Sequence, residues 1–504
     1  MKGLGDYLED MVARAYREAE KHGRLIGRVS RYSEVRTEAG GRVRIEVDPE
    51  VYYTVNGPHR RVGDYLVIVD PKTLNVILSR VTGITRLDEI AGLGVDPPLS
   101  PYTSSPDPQS LLTLTFIDVE PLLEAPLTGG PPAPAVSAIE PQSPVIDPEP
   151  GLLERLLHLP GEGVTLGALA SPGGLVKGGK VPVRLPLKVF LQHVLIIGTT
   201  GSGKTTLMKN MAASMMSLSN PPLLVVMDLN QDFIQLPLEP SGGPPSGDPV
   251  YDSVYRGVKP PGRVVVLTPV TITMARMAVE EGASGLEGIT LSLARLHYAD
   301  SLEPLAGSPG SWMVATREGT PVAEENRVVF IPYSINTMRL PTDSLLSLMP
   351  GLTSLSRETL RRIRERFRRS RGRYPPLQAL YAALVQYSER RRDRDEEDVV
   401  DLLLAHIVSE SYREAEVTTF KIEGLGMTLL DAAQEVLGVV RGVRPHPGSV
   451  EALHRRIGAI LDSGVADILV STPPGEGGAG TLTPLPEPGW SLVSRLARES
   501  RAPV

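Results

Sequence analysis

The sequence predicts an α/β protein: a phosphate-loop core with a helical insertion, preceded by a small antiparallel β-barrel. Three observations predict it. Gly198-Thr199-Thr200-Gly201-Ser202-Gly203-Lys204-Thr205 fits G-x-x-x-x-G-K-S/T, with an apolar run before it and helical spacing after it. Short β-rich runs punctuated by Gly, Asp and Pro fill residues 25–86. Residues 340–440 mostly lack strand signals and keep apolar residues at helical spacing.

Composition bounds the rest. A chain of 504 residues has room for roughly two to four domains. Zero cysteines exclude disulfides, thiolate zinc sites and cysteine catalysis. A net charge of −7 makes no global case for nucleic acid, so any basic surface must be local. The 49 glycines and 47 prolines predict long loops or linkers. There is no run of 18 apolar residues, and Met1 to His22 is mixed in charge without an apolar signal core. A cytoplasmic protein with no membrane contact is expected.

Taken in order, residues 1–22 are expected to be a surface helix over 6–21. Residues 23–120 are expected to be the barrel. Its strands are Leu25–Val29, Val43–Val47, Tyr65–Val69 and Val76–Val81, with Leu111–Val119 as a closing strand. Gly63-Asp64-Tyr65 reads as a turn entering a strand. Residues 121–180 are expected to be a Pro-rich linker with short strands, and 128–150 reads as flexible or polyproline-like. Leu152–Leu159 is a short amphipathic helix. Thr165–Leu169 and Val181–Leu185 read as short strands ahead of the loop.

Residues 181–340 are expected to form the nucleotide-binding core. Val194–Ile197 reads as a buried strand, and Leu207, Met208, Met211 and Met215 as the apolar face of the helix after the loop. Pro221-Pro222 break the chain. Leu223–Asp228 then reads as a buried parallel strand ending in a carboxylate, and Arg263–Leu267 and Arg327–Ile331 as further strands. Residues 341–465 are expected to be a helical insertion, with helices near 343–349, 356–369, 376–392, 396–411, 427–441 and 447–462. Residues 466–504 are the C-terminal segment.

The chemistry follows from residue types. Gly198, Gly201 and Gly203 let the backbone wrap an anion, and the N–H groups of Thr199, Thr200, Ser202 and Thr206 complete the cradle at a helix N-terminus. Lys204 supplies a point charge for the β- and γ-phosphates, and the Thr205 hydroxyl is the expected Mg²⁺ ligand. A nucleoside triphosphate is therefore the expected ligand. Asp228 and Asp232 flank the carboxyl end of a strand, where ligands gather in open parallel sheets. Either could serve the metal or the attacking water, or could simply cap a loop. After Asp228 no apolar run ends in an acidic pair.

Arg357 to Arg373 holds nine arginines against Glu358 and Glu365. Arg361, Arg364 and Arg368 share one helix face, and Arg362, Arg366 and Arg369 another. Such charge could track a DNA backbone, and it fits a solvated face or a partner surface equally well.

His193 through Thr205, followed by a strand into Asp228-Leu229-Asn230-Gln231-Asp232-Phe233, resembles the HerA family of archaeal hexameric DNA translocases within the HerA–FtsK group of P-loop ATPases. The family's second motif is usually Asp-Pro-His-Gly-Glu-Tyr. Asp228 matches it, Asp232 and Phe233 depart conservatively, and Leu229-Asn230-Gln231 differ. Ile26–Val29, Gly63–Tyr65 and Arg80–Thr82 resemble the barrel that precedes such motors, so the outline covers about residues 23–490.

The resemblance implies a RecA-like core, ATP and Mg²⁺ as cofactors, a hexamer threading double-stranded DNA, and a NurA-type nuclease as partner in end resection. It also implies a carboxylate-bearing strand after the helical insertion. Pro488–Val493 looks like a segment just ahead of it, so the sequence reads as the front part of such an ATPase. Such a chain is truncated, split, or completed by another chain. The alternative is a non-catalytic ATP-binding subunit that serves assembly or regulation. Lys204, Asp228 and Asp232 are the candidate catalytic residues, and Thr205 and Asp228 the candidate metal ligands.

Overall fold

A computed structural model describes residues 3–32, 41–53, 61–87, 114–237, 247–248, 250–301, 312–325, 327–388, 396–405, 407–409, 418–472 and 480–500. The chain forms two compact units, Met1–Asn220 with Gly242–Lys259, and Pro221–Ser241 with Pro260–Val504.

The first unit is built on a barrel. Its strands are β1 (Gly23–Val29), β2 (Val43–Val47), β3 (Tyr65–Val69), β4 (Asn75–Leu87), β5 (Leu114–Pro126), the two-residue β6 (Ala133–Pro134) and β7 (Pro144–Pro148). The order is β2-β1-β7-β3-β4-β5-β6, all antiparallel, and β2 also pairs with β5. That last pairing joins the ends of the sheet, so neither β2 nor β5 is left with an open edge.

Strand alternation sorts side chains into two cores. Leu66, Ile68 and Ile77 point inward with Ile26, Ile45 and Ile117. Val67, Val69, Val76 and Leu78 point outward beneath α1 (Leu4–Glu20) and α2 (Pro150–Leu156), against Ala19, Leu152, Leu153 and Leu156. This double burial explains why β3 reads as an unbroken apolar run. The β3–β4 turn is held by Asp70, whose carboxylate accepts from Lys72 N–H (2.9 Å) and Thr73 N–H (2.7 Å).

One expectation fails here. Residues 128–150 are not simply a linker. Pro144–Pro148 is a central strand, paired with β1 on one side and β3 on the other. Its prolines stand only at its two ends, and the Val145-Ile146 pair between them carries the register to β3. Past the barrel, β8 (Val164–Ala168) pairs with β9 (Pro182–Leu185). The loop helix α3 (Lys204–Met216) packs on β8, and Ser214 Oγ accepts from Thr165 N–H at 2.8 Å.

The second unit is layered. β10 (Val264–Pro269) lies parallel to β13 (Val328–Tyr333), and β12 (Thr320–Glu325) and β11 (Met313–Arg317) continue the sheet antiparallel. Helices α4 (Ile272–Glu280) and α5 (Gly285–Ser301) cover one face through Ala275, Ile289 and Leu293 against Ala323 and Phe330. The C-terminal helix α12 (Trp490–Ser500) covers the other with Leu492, Leu496 and Ala497 against Val265, Val329 and Ile331.

The expected helical stretch is present. It comprises α6 (Thr342–Ser347), α7 (Ser354–Arg371), α8 (Leu377–Ser388), α9 (Glu396–Leu404), α10 (Leu429–Val443) and α11 (Pro447–Asp462) around one apolar core. It is not purely helical. Ile407–Val408, which falls in the helix expected over 396–411, is a short strand beside Leu469–Thr472, and Thr481–Pro484 and Lys421–Ile422 complete that sheet. Residues 389–392, the end of the helix expected over 376–392, lie outside the described residues. No described helix is long and apolar enough to cross a membrane.

Candidate nucleotide site

The phosphate loop closes the turn into α3. Gly201 (φ 79°) and Gly203 (φ 85°) occupy the left-handed region, where a side chain would be strained. Neither has a heavy atom within 4 Å of where a Cβ would stand, so the space over the loop is open. At Gly198 a Cβ would meet Ser202 Oγ, so a side chain there would force the serine hydroxyl to turn away. Ser202 N–H donates to Thr199 O (3.2 Å), and Leu207 N–H to Gly203 O (2.8 Å) opens the helix ladder.

Lys204 Nζ donates to Thr199 O at 2.6 Å, folding the ammonium back over the loop. That is one neutral acceptor for a cation, and an anion in the loop would compete for it. Thr205 and Thr206 are exposed in the first turn of α3. The helix buries Met211, Ala212, Ser214, Met215 and Met216. Met208, expected on that apolar face, is 42% exposed.

The strands flanking this loop are the main departure from expectation. Val194–Ile197 belongs to no ladder, and Leu195 and Ile197 are each 82% exposed. The sequence has the apolarity of a buried strand, but a strand forms only against a neighbour, and no described strand pairs with it. Leu223–Asp228, in the second unit, is also outside any ladder. Its burial still alternates: Leu223, Val225, Met227 and Leu229 are exposed, and Leu224, Val226 and Asp228 half-buried. That is strand periodicity without a sheet. His193, at the head of the first run, is exposed.

Asp228 acts locally as a turn former. Its carboxylate accepts from Asn230 N–H (3.3 Å) and Phe233 N–H (2.7 Å), with Gln231 at φ 61° between them. Asp232 precedes the short 3₁₀ turn Phe233–Gln235 and makes no capping bond. Lys204 and Thr205 thus stand in the first unit, and Asp228 and Asp232 in the second. No group of three or more His, Asp or Glu side chains is arranged for a metal among the described residues.

The arginine-rich stretch resolves into distinct roles. Arg361 pairs with Asp343, Arg362 with Glu358, Arg368 with Glu365 and Arg371 with Glu435. Arg364, expected to share a face with Arg361 and Arg368, is fully buried. Its Nη2 donates to Thr337 O (2.6 Å) and Leu340 O (3.0 Å), and its guanidinium lies 4.2 Å from the Tyr374 ring centroid. Burial pushes its pKa down to about 10, so it stays charged at neutral pH.

Beside it Asp467, at φ 49°, accepts from Thr337 N–H (2.7 Å) and Leu377 N–H (2.7 Å). Burial raises the Asp467 carboxyl, while these hydrogen bonds and the charge of Arg364 act the other way. In the sequence Asp467 is the one acid of the apolar run Ala466–Val470, just ahead of the strand Leu469–Thr472, a cue to a buried carboxylate that does not point to its partners.

Residues 170–419, just under half of the chain, match a family model described as "Helicase HerA, central domain". This stretch contains the phosphate loop, the Asp228 turn and the first helices of the helical layer, so this part of the chain is HerA-like. The barrel lies outside the match. No curated protein matches the chain.

Proposed function

We propose that the chain binds ATP with Mg²⁺ at Gly198–Thr206 and serves as a HerA-like ATPase subunit that moves on double-stranded DNA. The reading assigns it to a homo-oligomer, a hexamer by family likeness, working with a NurA-type nuclease in DNA end processing. The observation that carries it is the open phosphate loop. Two left-handed glycines, a lysine with only a carbonyl to hold, and an exposed threonine at a helix N-terminus suit a triphosphate and its cation. Lys204 would neutralise the γ-phosphate, Thr205 would hold Mg²⁺, and Asp228 or Asp232 would serve the metal or the water. Bound Mg²⁺ would neutralise charge building on the phosphates.

One observation favours a second reading, a non-catalytic ATP-binding subunit for assembly or regulation. The Asp228 carboxylate is already engaged by the N–H groups of its own turn. Steady-state ATP hydrolysis with and without duplex DNA separates the two, with Lys204→Ala as control. DNA-stimulated turnover lost in Lys204→Ala supports the motor. ATP binding without turnover supports the non-catalytic subunit. Absence of ATP binding overturns both.

A further inference from the structure

The solvent side of the helical layer carries a feature that the nucleotide site does not use. Arg362, Arg366 and Arg369 are exposed along one ridge of α7, at i, i+4 and i+7. Glu358 neutralises Arg362. Arg366 and Arg369 make no direct ion pair among the described residues, unlike Arg368 and Arg371 beside them, and Arg369 shares the field of Glu365 with Arg368.

Helix α10 runs antiparallel beside this ridge, since Arg371 meets Glu435 while Arg366 lies over Gly442. Gly438 and Gly442 are both exposed there, one turn apart. Glycine is the poorest helix former after proline, so two on one face call for a reason. A Cβ at Gly442 would stand 3.2 Å from Arg366 Nη1 and press on the guanidinium. At Gly438 nothing lies within 4 Å. The Arg366 guanidinium thus lies close on the α10 backbone at Gly442, and the surface one turn away at Gly438 is open. Arg441 and Arg444 stand exposed at the end of α10, where the helix terminus favours cations. The only exposed large apolar side chain described on either helix is Leu355, in the first turn of α7. Protein interfaces draw their affinity from buried aromatic and apolar anchors, and this surface has none.

We propose that this surface binds the phosphodiester backbone of nucleic acid without reading its bases. The exposed charges can replace counterions, and the open surface at Gly438 admits a sugar–phosphate strand close to the helix. The inference extends the DNA-motor reading by naming a surface for the duplex. Its test needs no nucleotide, so the two readings fail separately.

Anisotropy of a fluorescein-labelled duplex of mixed sequence, titrated with the full chain over a series of salt concentrations, is the measurement. Arg366→Glu with Arg369→Glu should weaken binding roughly tenfold or more and make the log–log salt slope shallower by about two. Arg441→Glu with Arg444→Glu should act in the same direction. Lys21→Glu with Arg455→Glu, an equal change of net charge elsewhere, should shift binding less than about twofold, as non-specific charge alone would. Should the reversal prevent folding, Arg366→Gln with Arg369→Gln carries the same comparison. The inference is overturned if the wild type does not bind the duplex, if the variants of this surface bind unchanged, or if the control pair loses as much. It is also overturned if polyglutamate binding depends on these arginines and the duplex does not bind, which would assign the surface to an acidic protein.

Discussion

Lys204 and Asp467 show how differently two charged side chains can be placed. Among the described residues Lys204 is held only by a carbonyl of its own loop. Lys204→Ala should weaken ATP roughly 10- to 100-fold, the loss of one charge-assisted contact, measured by calorimetry or with a fluorescent ATP analogue. Asp467 is enclosed, and its carboxylate satisfies two backbone N–H groups and faces Arg364. Asp467→Ala would orphan those donors and leave a buried guanidinium without its counter-charge. A destabilisation of about 3 kcal/mol or more is expected in chemical denaturation, with Asp467→Asn milder. The phosphate loop was legible because its spacing is set by the anion it cradles. Asp467 and Arg364 were not, because the apolar setting that makes them consequential comes from residues distant in sequence. Thr337 and Leu377, which donate to Asp467, give no local cue.

At the scale of elements, periodicity was read well in the barrel strands and in much of the helical layer, while α4, α5, β11 and β12 were not foreseen. α7, α10 and the strands β1 to β3 fall within two residues of their expected limits, and β4 starts near its expected place but runs on to Leu87. The misreadings share a cause. Pro144–Pro148 has the proline content of a linker, yet it is placed between β1 and β3 because two flanking strands supply partners. Val194–Ile197 has the composition of a core strand and lies unpaired because no described strand flanks it. Composition records what a segment tolerates, and pairing depends on neighbours.

Two predictions belong here. Ile146→Ala, at a fully buried β7 position, should cost about 2–5 kcal/mol of stability, followed as loss of β-sheet signal in denaturant. The second concerns the Arg371–Glu435 clasp between α7 and α10. The Arg371 hydrogen bond holds the Glu435 carboxyl below the usual range. A depressed carboxylate stabilises the fold above its unfolded pKa, and that contribution is lost as pH falls through the folded value. Melting temperature should therefore drop below about pH 4.3, and Glu435→Gln should lower it at neutral pH and flatten the acid limb.

For the molecule as a whole, two compact units each carry their own core. Unfolding should follow more than one transition, with the barrel and the helical layer melting separately in calorimetry. A single transition with equal calorimetric and van't Hoff enthalpies would contradict this.

The unpaired strand before the phosphate loop has a further consequence, in the life of the polypeptide after synthesis. Leu195-Ile196-Ile197 is a short, apolar and uncharged run with Leu195 and Ile197 exposed, the kind of stretch by which chaperones and proteases tell unfinished proteins from finished ones. As long as it lies bare, the surveillance machinery of the cell would treat the folded chain as a nascent one. The amount of this protein that survives would then be set by how quickly that strand finds cover.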